Sequence, residues 1–192
     1  MRVVYHKGMT TQQDYEVLDN HGISTGKLMS RELIHNQQLW HAVVHVWIIN
    51  SKGEILLKLR SPDVELSPNM WDVSVGSHVK PGEDPVDAAL RCLQEKLELP
   101  ETRENIKHLF NILCANPLPD GMHHNVLGHV YLVQRDIDLT AIHFDTTEIS
   151  QLKWVPLMQL MNDMGNDEQR KLYQPRASNY YTQLFQAFEA YM

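Results

Sequence analysis

Two cationic side chains alternate with leucines in a short segment that has the pattern of a strand. Between Ile55 and Arg60, Leu57 and Leu59 alternate with Lys58 and Arg60. Side chains on a strand point alternately to its two faces, so this spacing places Lys58 and Arg60 on one face. Such a face either contacts an anionic ligand or forms a solvated sheet edge, and the spacing leaves both interpretations open.

A helix with a charged side is predicted further along the chain. Asp84 is a suitable N-cap residue, and Pro85 is favoured in the first helical turn. Apolar residues then recur with helical spacing at Val86, Ala89, Leu90, Leu93 and Leu97. The opposite side carries Asp87, Arg91, Glu95 and Glu98, with Cys92 and Lys96 flanking it. We therefore expect the apolar stripe to be buried and the flanking positions to face the solvent.

Other segments alternate irregularly between strand and helix patterns, which indicates a mixed α/β class. A turn at Asp19–Gly22 joins two short strands in an N-terminal hairpin. The β-branched run His41–Ile49 has the pattern of a strand buried on both faces. Further strands are predicted at residues 129–133 and 152–155, and a helix begins at Leu157. Apolar residues near the C-terminus form an amphipathic stripe that we expect to pack on this domain: Tyr181, Leu184, Phe185, Phe188 and Tyr191.

Composition limits the classes of protein that the chain can represent. A length of 192 residues and an apolar fraction of 43% are typical of one globular domain. The formal charge of −7 argues against a partner that is a nucleic acid polymer. Two cysteines are too few for a disulfide framework, and Cys114 is expected to be buried. Met1–Thr10 lacks the pattern of a signal peptide and no segment is apolar enough to span a membrane, so we expect a cytoplasmic protein, with a homodimer as the default assembly.

The segment from Ser77 to Leu99 resembles the Nudix box, whose pattern is G-x5-E-x7-R-E-U-x-E-E-x-G-U, with U a bulky aliphatic residue. The chain matches this pattern at Glu83, Arg91, Leu93, Glu95 and Leu99. It departs from it at Ser77, Cys92, Lys96 and Glu98, where the family has Gly, Glu, Glu and Gly. The box is therefore recognisable but degenerate.

A longer stretch, from about Tyr15 to Leu160, resembles the Nudix subgroup related to type I isopentenyl diphosphate isomerase. Leu39-Trp40-His41 and the segment from Trp71 to His78 carry this resemblance. It implies a Nudix fold, α/β, in which a mixed β-sheet is sandwiched between helices (α/β/α), with an N-terminal hairpin and a C-terminal helix. We expect a single Nudix domain over residues 1–192, divided into a hairpin extension (1–36), a core (37–162) and a C-terminal helical extension (163–192).

The resemblance also implies roles for individual residues. Catalysis would fall to Glu95 and Glu148, while Glu83 and Arg91 would tie the loop to the helix. The cofactor would be Mg²⁺ or Mn²⁺, held by Glu95 and the Gly76 carbonyl, with Glu83, His41 and His78 as further candidates. The substrate contacts would be Lys58, Arg60, Lys80, Lys96 and Trp71. Trp40, Trp71 or Tyr131 could stack on a base, although an aromatic residue near a sheet more often packs in the core. His123 and His124, after a polar loop that includes residues 119 and 120, are expected to be exposed, as is Lys96.

The degenerate positions change the charge of the expected metal site. Three glutamates would contribute about −3, whereas Cys92, Glu95 and Lys96 together contribute about zero, which should weaken metal binding by several kcal/mol. The resemblance then implies a metal-dependent hydrolase, weakened by this loss, for the diphosphate linkage of a small compound such as a nucleoside diphosphate derivative. The alternative is an inactive ligand-binding or regulatory module. Isomerisation is disfavoured, because Gly76 and Val126 stand where the isomerases carry their catalytic Cys and Glu.

Overall fold

The computed structural model describes residues 14–118 and 121–191. The expectation for Met1–Thr10 and the loop positions 119 and 120 lie outside the described residues. Within these ranges, no helix combines the length and apolar character needed to cross a membrane.

The strands form a two-stranded hairpin and a larger mixed sheet. The hairpin pairs β1 (Asp14–Leu18) with β2 (Ser24–Ser30), as the turn at Asp19–Gly22 predicts. The sheet contains β3 (His41–Ile49), β4 (Glu54–Arg60), β5 (Trp71–Asp72), β6 (Val75–His78), β7 (Ile106–Pro117), β8 (His123–Gln134) and β9 (Ile149–Pro156). Its order is β5-β4-β3-β8-β7, with β6 also paired to β3 and β9 to β4. Strands β3 and β8 are parallel, and the other pairs are antiparallel.

Strand β3 is the centre of the sheet and is buried on both faces, which explains its nearly continuous apolar sequence. Trp47 and Ile49 belong to one hydrophobic cluster, while Val46 and Ile48 belong to another. Helices α3 (Leu157–Gly165) and α5 (Ser178–Phe188) contribute to the first cluster, and α2 (Pro85–Leu97) contributes to the second. The sheet thus lies between helices, which confirms the predicted α/β/α arrangement.

Helix α2 begins as predicted, but its buried face is rotated from the predicted stripe. The Asp84 carboxylate accepts a hydrogen bond from the backbone N–H of Val86, and Pro85 occupies the first turn. The fully buried residues are Ala88, Ala89, Cys92, Leu93 and Leu97. The prediction that Cys92 faces solvent is wrong, because it lies one turn after Ala88 on the face that packs on the sheet.

Elements at both termini pack against the core. A short helix, α1 (Arg31–Asn36), follows β2 directly and is capped by Ser30. In α5 the completely buried residues are Tyr180, Leu184 and Phe188, so the predicted stripe packs on this domain. The buried stripe starts at Tyr180, and Tyr181 is only partly buried. A four-residue helix, α4 (Asp167–Arg170), connects α3 to the segment that leads into α5. These terminal elements carry side chains into the site.

Candidate functional site

A polar cleft of about 640 Å³ opens between the sheet, the face of α2 and the two terminal segments. Its described lining contains seven cationic and five acidic side chains, a formal excess of two positive charges if the histidines are neutral. The cations are Arg31, Lys58, Arg60, Lys80, Arg91, Lys96 and Arg176. A chain whose net charge is −7 therefore concentrates positive charge in one cavity.

One group in this lining, which we call the basic cluster, consists of Lys58, Arg60 and Arg176 around Asp72. Arg60 donates to the Asp72 carboxylate at 3.1 Å and to the carbonyls of Leu66 and Ser67. Arg176, from the segment before α5, donates to the other oxygen of Asp72. Burial alone would raise the pKa of Asp72, but Arg176, Lys58 and Arg60 hold it well below its usual range. Asp72 is therefore a permanent carboxylate shared by three cations.

A buried chain of hydrogen bonds fixes Arg176 to the core. Arg176 donates to His45 Nε2 at 3.2 Å, and His45 Nδ1 lies 3.1 Å from the Tyr180 hydroxyl. Because a guanidinium has no acceptor atom, Nε2 must accept and Nδ1 must carry the imidazole proton. The Tyr180 hydroxyl also accepts from the Trp47 indole at 3.1 Å. Burial lowers the pKa of His45 far below its usual range, so this histidine is neutral.

Lys58 is the least satisfied member of the basic cluster. Only 2% of the residue is exposed, yet it lines the cleft and has no hydrogen bond or ion pair within 4 Å among the described residues. Its register partner across the sheet is Asp72. Burial, opposed by Asp72 and assisted by the nearby charges of Lys96 and Arg60, lowers the pKa of Lys58 to about 8.

The charged face of α2 is, in contrast, internally paired. Glu83 accepts from Arg91 at 2.7 and 2.9 Å and from the Lys80 backbone N–H at 2.8 Å. Hydrogen bonding from Arg91 lowers the pKa of Glu83 below its usual value. Arg91 also donates to Glu95 at 3.0 Å and to the His78 carbonyl, which ties the loop to the helix.

Lys96 forms an ion pair with Glu148, the residue before β9. The Lys96 side chain is only 11% exposed, so the expectation of a solvent-exposed Lys96 is wrong. Both residues line the cleft, so the ion pair with Glu148 keeps the Lys96 ammonium group in the cleft.

These contacts decide whether the α2 face fits the hard cation that the family pattern implies. Mg²⁺ requires several oxygen ligands. Position 92 offers only a buried thiol whose pKa is raised by burial, Glu148 is paired with Lys96, and Glu95 is paired with Arg91. The α2 face does not fit a Mg²⁺ site.

Four imidazoles converge elsewhere on the same cleft. His35 in α1, His41 in β3, His78 in β6 and His124 in β8 each present one nitrogen, and these four atoms all lie within 4.8 Å of one another. We call this group the histidine cluster. Three of its members line the cleft, and His41 is buried behind them. The expectation that His124 is exposed is wrong, because the parallel pairing of β8 with β3 places it beside His41.

Two of the six nitrogen–nitrogen distances in the histidine cluster match the spacing around a tetrahedral metal ion, and all six are below 4.8 Å. Nitrogens about 2.0–2.1 Å from such an ion lie about 3.3 Å apart. The Nε2 atoms of His35 and His78 are 3.2 Å apart, as are those of His41 and His124. His41 uses Nδ1 to contact the Leu39 carbonyl at 3.0 Å, which leaves Nε2 for a ligand bond.

The protonation state of the four imidazoles also favours metal binding. Burial lowers the pKa of His35 and of His41 to about 4 and holds those of His78 and His124 well below their usual range. Neutral imidazoles are the form that binds metal. Four nitrogen donors suit a divalent transition metal better than Mg²⁺.

The structure brings together most of the residues expected at the site. The expected site residues that line the cleft are Lys58, Arg60, Gly76, His78, Lys80, Arg91, Glu95, Lys96 and Glu148. Glu83 lies behind Arg91. Trp71 does not belong to the described lining of the cleft. Instead it packs against the core cluster on the face where α3 and α5 lie, with the Lys153 ammonium 3.7 Å from its ring centroid, which agrees with the core packing expected of an aromatic residue near a sheet.

Sequence reasoning missed His35, Asp72 and Arg176 as site residues. His35 falls on α1, a helix too short to give a periodic signal. Arg176 comes from the C-terminal extension, far from the box in sequence. Asp72 lies in the two-residue strand β5, which is too short to show a periodic pattern, and only the structure reveals its pairing with Lys58.

The NUDIX domain family model matches residues 39–175 of the chain. Nudix hydrolase 3 of Arabidopsis thaliana is 30% identical over 161 residues, which cover 82% of this chain but 21% of that protein. An isopentenyl-diphosphate Delta-isomerase of Pectobacterium atrosepticum is 28% identical over 148 residues, which cover 77% of this chain and 79% of that protein. The chain belongs to the Nudix family, whose hydrolases generally use divalent metal ions.

Solved structures show the same fold. A Deinococcus radiodurans protein has a TM-score of 0.63 and 21% identity, covering 84% of this chain and 99% of that one. The NUDIX domain of Shewanella oneidensis NrtR, complexed with ADP ribose, has a TM-score of 0.56 and 17% identity, covering 80% of this chain and 89% of that domain.

Proposed function

We propose that this chain hydrolyses the diphosphate linkage of a small compound, with a divalent transition-metal ion held by the histidine cluster. One observation carries the proposal: a single cleft joins four convergent imidazoles to an excess of cationic side chains. The cations suit a polyanionic ligand, and the cleft volume of about 640 Å³ suits a small molecule.

The chain's own residues have distinct tasks in this proposal. His35, His78 and His124 at the cleft and His41 behind them would hold the ion, which would supply a Lewis acid for the phosphoanhydride provided that one coordination position stays open toward the cleft. Glu95 is half exposed at the cleft, with its Oε2 bonded to Arg91, and we assign it the proton of the attacking water through its other carboxylate oxygen. Lys80 and Arg60 contact the phosphates. Isomerisation is not expected, because Val126 is buried and Gly76 carries no side chain to exchange protons.

A second function is favoured by a specific contact. The ion pair between Lys96 and Glu148 and that between Arg91 and Glu95 occupy both carboxylates proposed for catalysis. A protein that binds its diphosphate without cleaving it would show this arrangement, as a ligand-binding or regulatory module.

The test begins from protein stripped of metal by a chelating resin and then loaded separately with Zn²⁺, Mn²⁺ or Mg²⁺. Hydrolysis of ADP-ribose, nucleoside diphosphate sugars and dinucleoside polyphosphates is followed by product analysis. We expect turnover with Zn²⁺ or Mn²⁺ and its loss in His124→Ala. The matched control is His123→Ala, which removes the adjacent exposed histidine and should leave turnover intact.

Other outcomes separate the two functions. Turnover that survives His124→Ala would place the metal outside the histidine cluster. Saturable binding of one of these compounds with no cleavage under any metal would exclude the hydrolase and support the binding module.

A further inference from the structure

The basic cluster carries more positive charge than its own carboxylate neutralises. Asp72 supplies one negative charge to Lys58, Arg60 and Arg176. The side chains of Arg176, Arg60 and Asp72 are 5%, 19% and 6% exposed, and Lys58 is 2% exposed, so solvent screens this excess poorly. A buried charge without a counter-charge is costly, and an anionic ligand in the cleft would compensate it.

Lys58 is the cation of the basic cluster whose charge such a ligand would compensate most. It is a lining residue of the cleft, and its ammonium lacks a hydrogen-bond acceptor among the described residues. Arg60 and Arg176 are held in place by Asp72, Leu66, Ser67 and His45, so they need no reorganisation to present their charge. The cluster is therefore preorganised for an anion.

We propose that Lys58, with Arg60 and Arg176, binds the ligand's diphosphate directly, with no metal ion between these three side chains and the phosphates. This depends on the proposed function only for the ligand class. In α2, the buried thiol of Cys92 and the ammonium of Lys96 stand where the family pattern has carboxylates, and only Lys96 of the two lines the cleft. The carboxylates of Glu95 and Glu148 that do line it are paired with Arg91 and Lys96, so the ammonium groups supply the positive charge that a cation bridging α2 to phosphate would supply.

Binding of inorganic pyrophosphate, measured by calorimetry in resin-stripped buffer, tests this proposal. A resin is used because soluble chelators such as EDTA are themselves polyanions that compete for the cleft. We expect saturable binding without metal, weakened by added salt. Lys58→Met should weaken it by about tenfold or more, because a charge-assisted contact is lost.

Matched variants keep the result interpretable. Lys52→Met removes the same charge from the exposed turn between β3 and β4 and should leave the affinity unchanged. Lys58→Met removes an unpaired buried charge at similar volume, and a thermal melt verifies its fold. The wild-type measurement in stripped buffer needs no variant at all.

Two outcomes overturn the proposal: pyrophosphate binding that appears only after a metal ion is added, or equal affinity in wild type and folded Lys58→Met. The proposed hydrolysis is tested independently of direct binding. Binding in stripped buffer without turnover under any metal would support direct binding and exclude hydrolysis. Turnover with metal, together with no pyrophosphate binding in its absence, would support hydrolysis and exclude direct binding.

Discussion

The two walls of the cleft differ in how far their polar groups are satisfied. On the α2 wall each cation has a carboxylate partner: Arg91 pairs with Glu83 and Glu95, and Lys96 pairs with Glu148. On the sheet wall, three cations share Asp72 and four imidazole nitrogens face one another. The pattern of the Nudix box directs attention to the first wall, whereas the unused binding capacity lies on the second. Binding of ligand and metal should therefore respond to changes on the sheet wall more than on the α2 wall.

Removing the shared carboxylate is expected to have the largest effect. Asp72→Asn leaves three buried cations without a counter-charge, and breaking a buried ion pair in this way costs about 3–5 kcal/mol. Glu95→Gln on the α2 wall removes a half-exposed partner of Arg91 and should cost less than about 1 kcal/mol. Urea unfolding of both variants measures the difference, and equal losses would show that the two walls are not distinct.

Forcing a carboxylate back into α2 is the next largest change. Cys92→Glu places a longer, ionisable side chain at a completely buried position and should destabilise the fold by about 2–3 kcal/mol. Gln94→Glu adds the same charge to an exposed position of the same helix and should stay within about 0.5 kcal/mol of wild type. A Cys92→Glu, Lys96→Glu protein with wild-type stability and tight Mg²⁺ binding would contradict this account of the α2 wall.

The local patterns of the sequence explain why much of the fold could be predicted. The alternation in β4 predicted that Lys58 and Arg60 share a face, and both line the cleft, while Asp84 with Pro85 correctly marked the start of α2. The rotated face of α2 could not be predicted, because Cys92 is compatible with either side of an amphipathic helix. The histidine cluster depends on four separate elements, and the parallel pairing of β3 with β8 that joins two of them has no local signal.

Metal binding at the histidine cluster should stabilise the folded chain by an intermediate amount. An ion that binds only the native state at a free concentration of about 100 times its Kd adds about 2.7 kcal/mol. We expect Zn²⁺ to raise the Tm of wild type and of His123→Ala, but not that of His124→Ala. A Mg²⁺ effect as large as that of Zn²⁺ would contradict a site of four nitrogen donors.

The smallest expected effect is the pH dependence of pyrophosphate affinity, which tests Lys58 alone. The groups that face its ammonium are Asp72 on β5, Arg60 on β4, and Lys96 and Cys92 on α2. With the pKa of Lys58 at about 8 in the ligand-free protein, its charge contributes fully to binding well below pH 8, and this contribution is lost as pH rises through that value. His45 stays neutral over this range, because its pKa lies far below it.

At one pH unit above its pKa, about nine-tenths of Lys58 is neutral, so its contribution to affinity should fall by up to about tenfold between pH 7 and pH 9. The ionisation of pyrophosphate itself acts in the opposite direction, which makes a reference variant necessary. Lys58→Arg supplies it, because a guanidinium stays charged throughout this range. The ratio of wild-type to Lys58→Arg affinity, measured by calorimetry in resin-stripped buffer, should therefore fall as pH rises through about 8. A constant ratio would mean that the charge on the sheet wall does not depend on Lys58, and that Arg60 and Arg176 alone set the difference between the two walls.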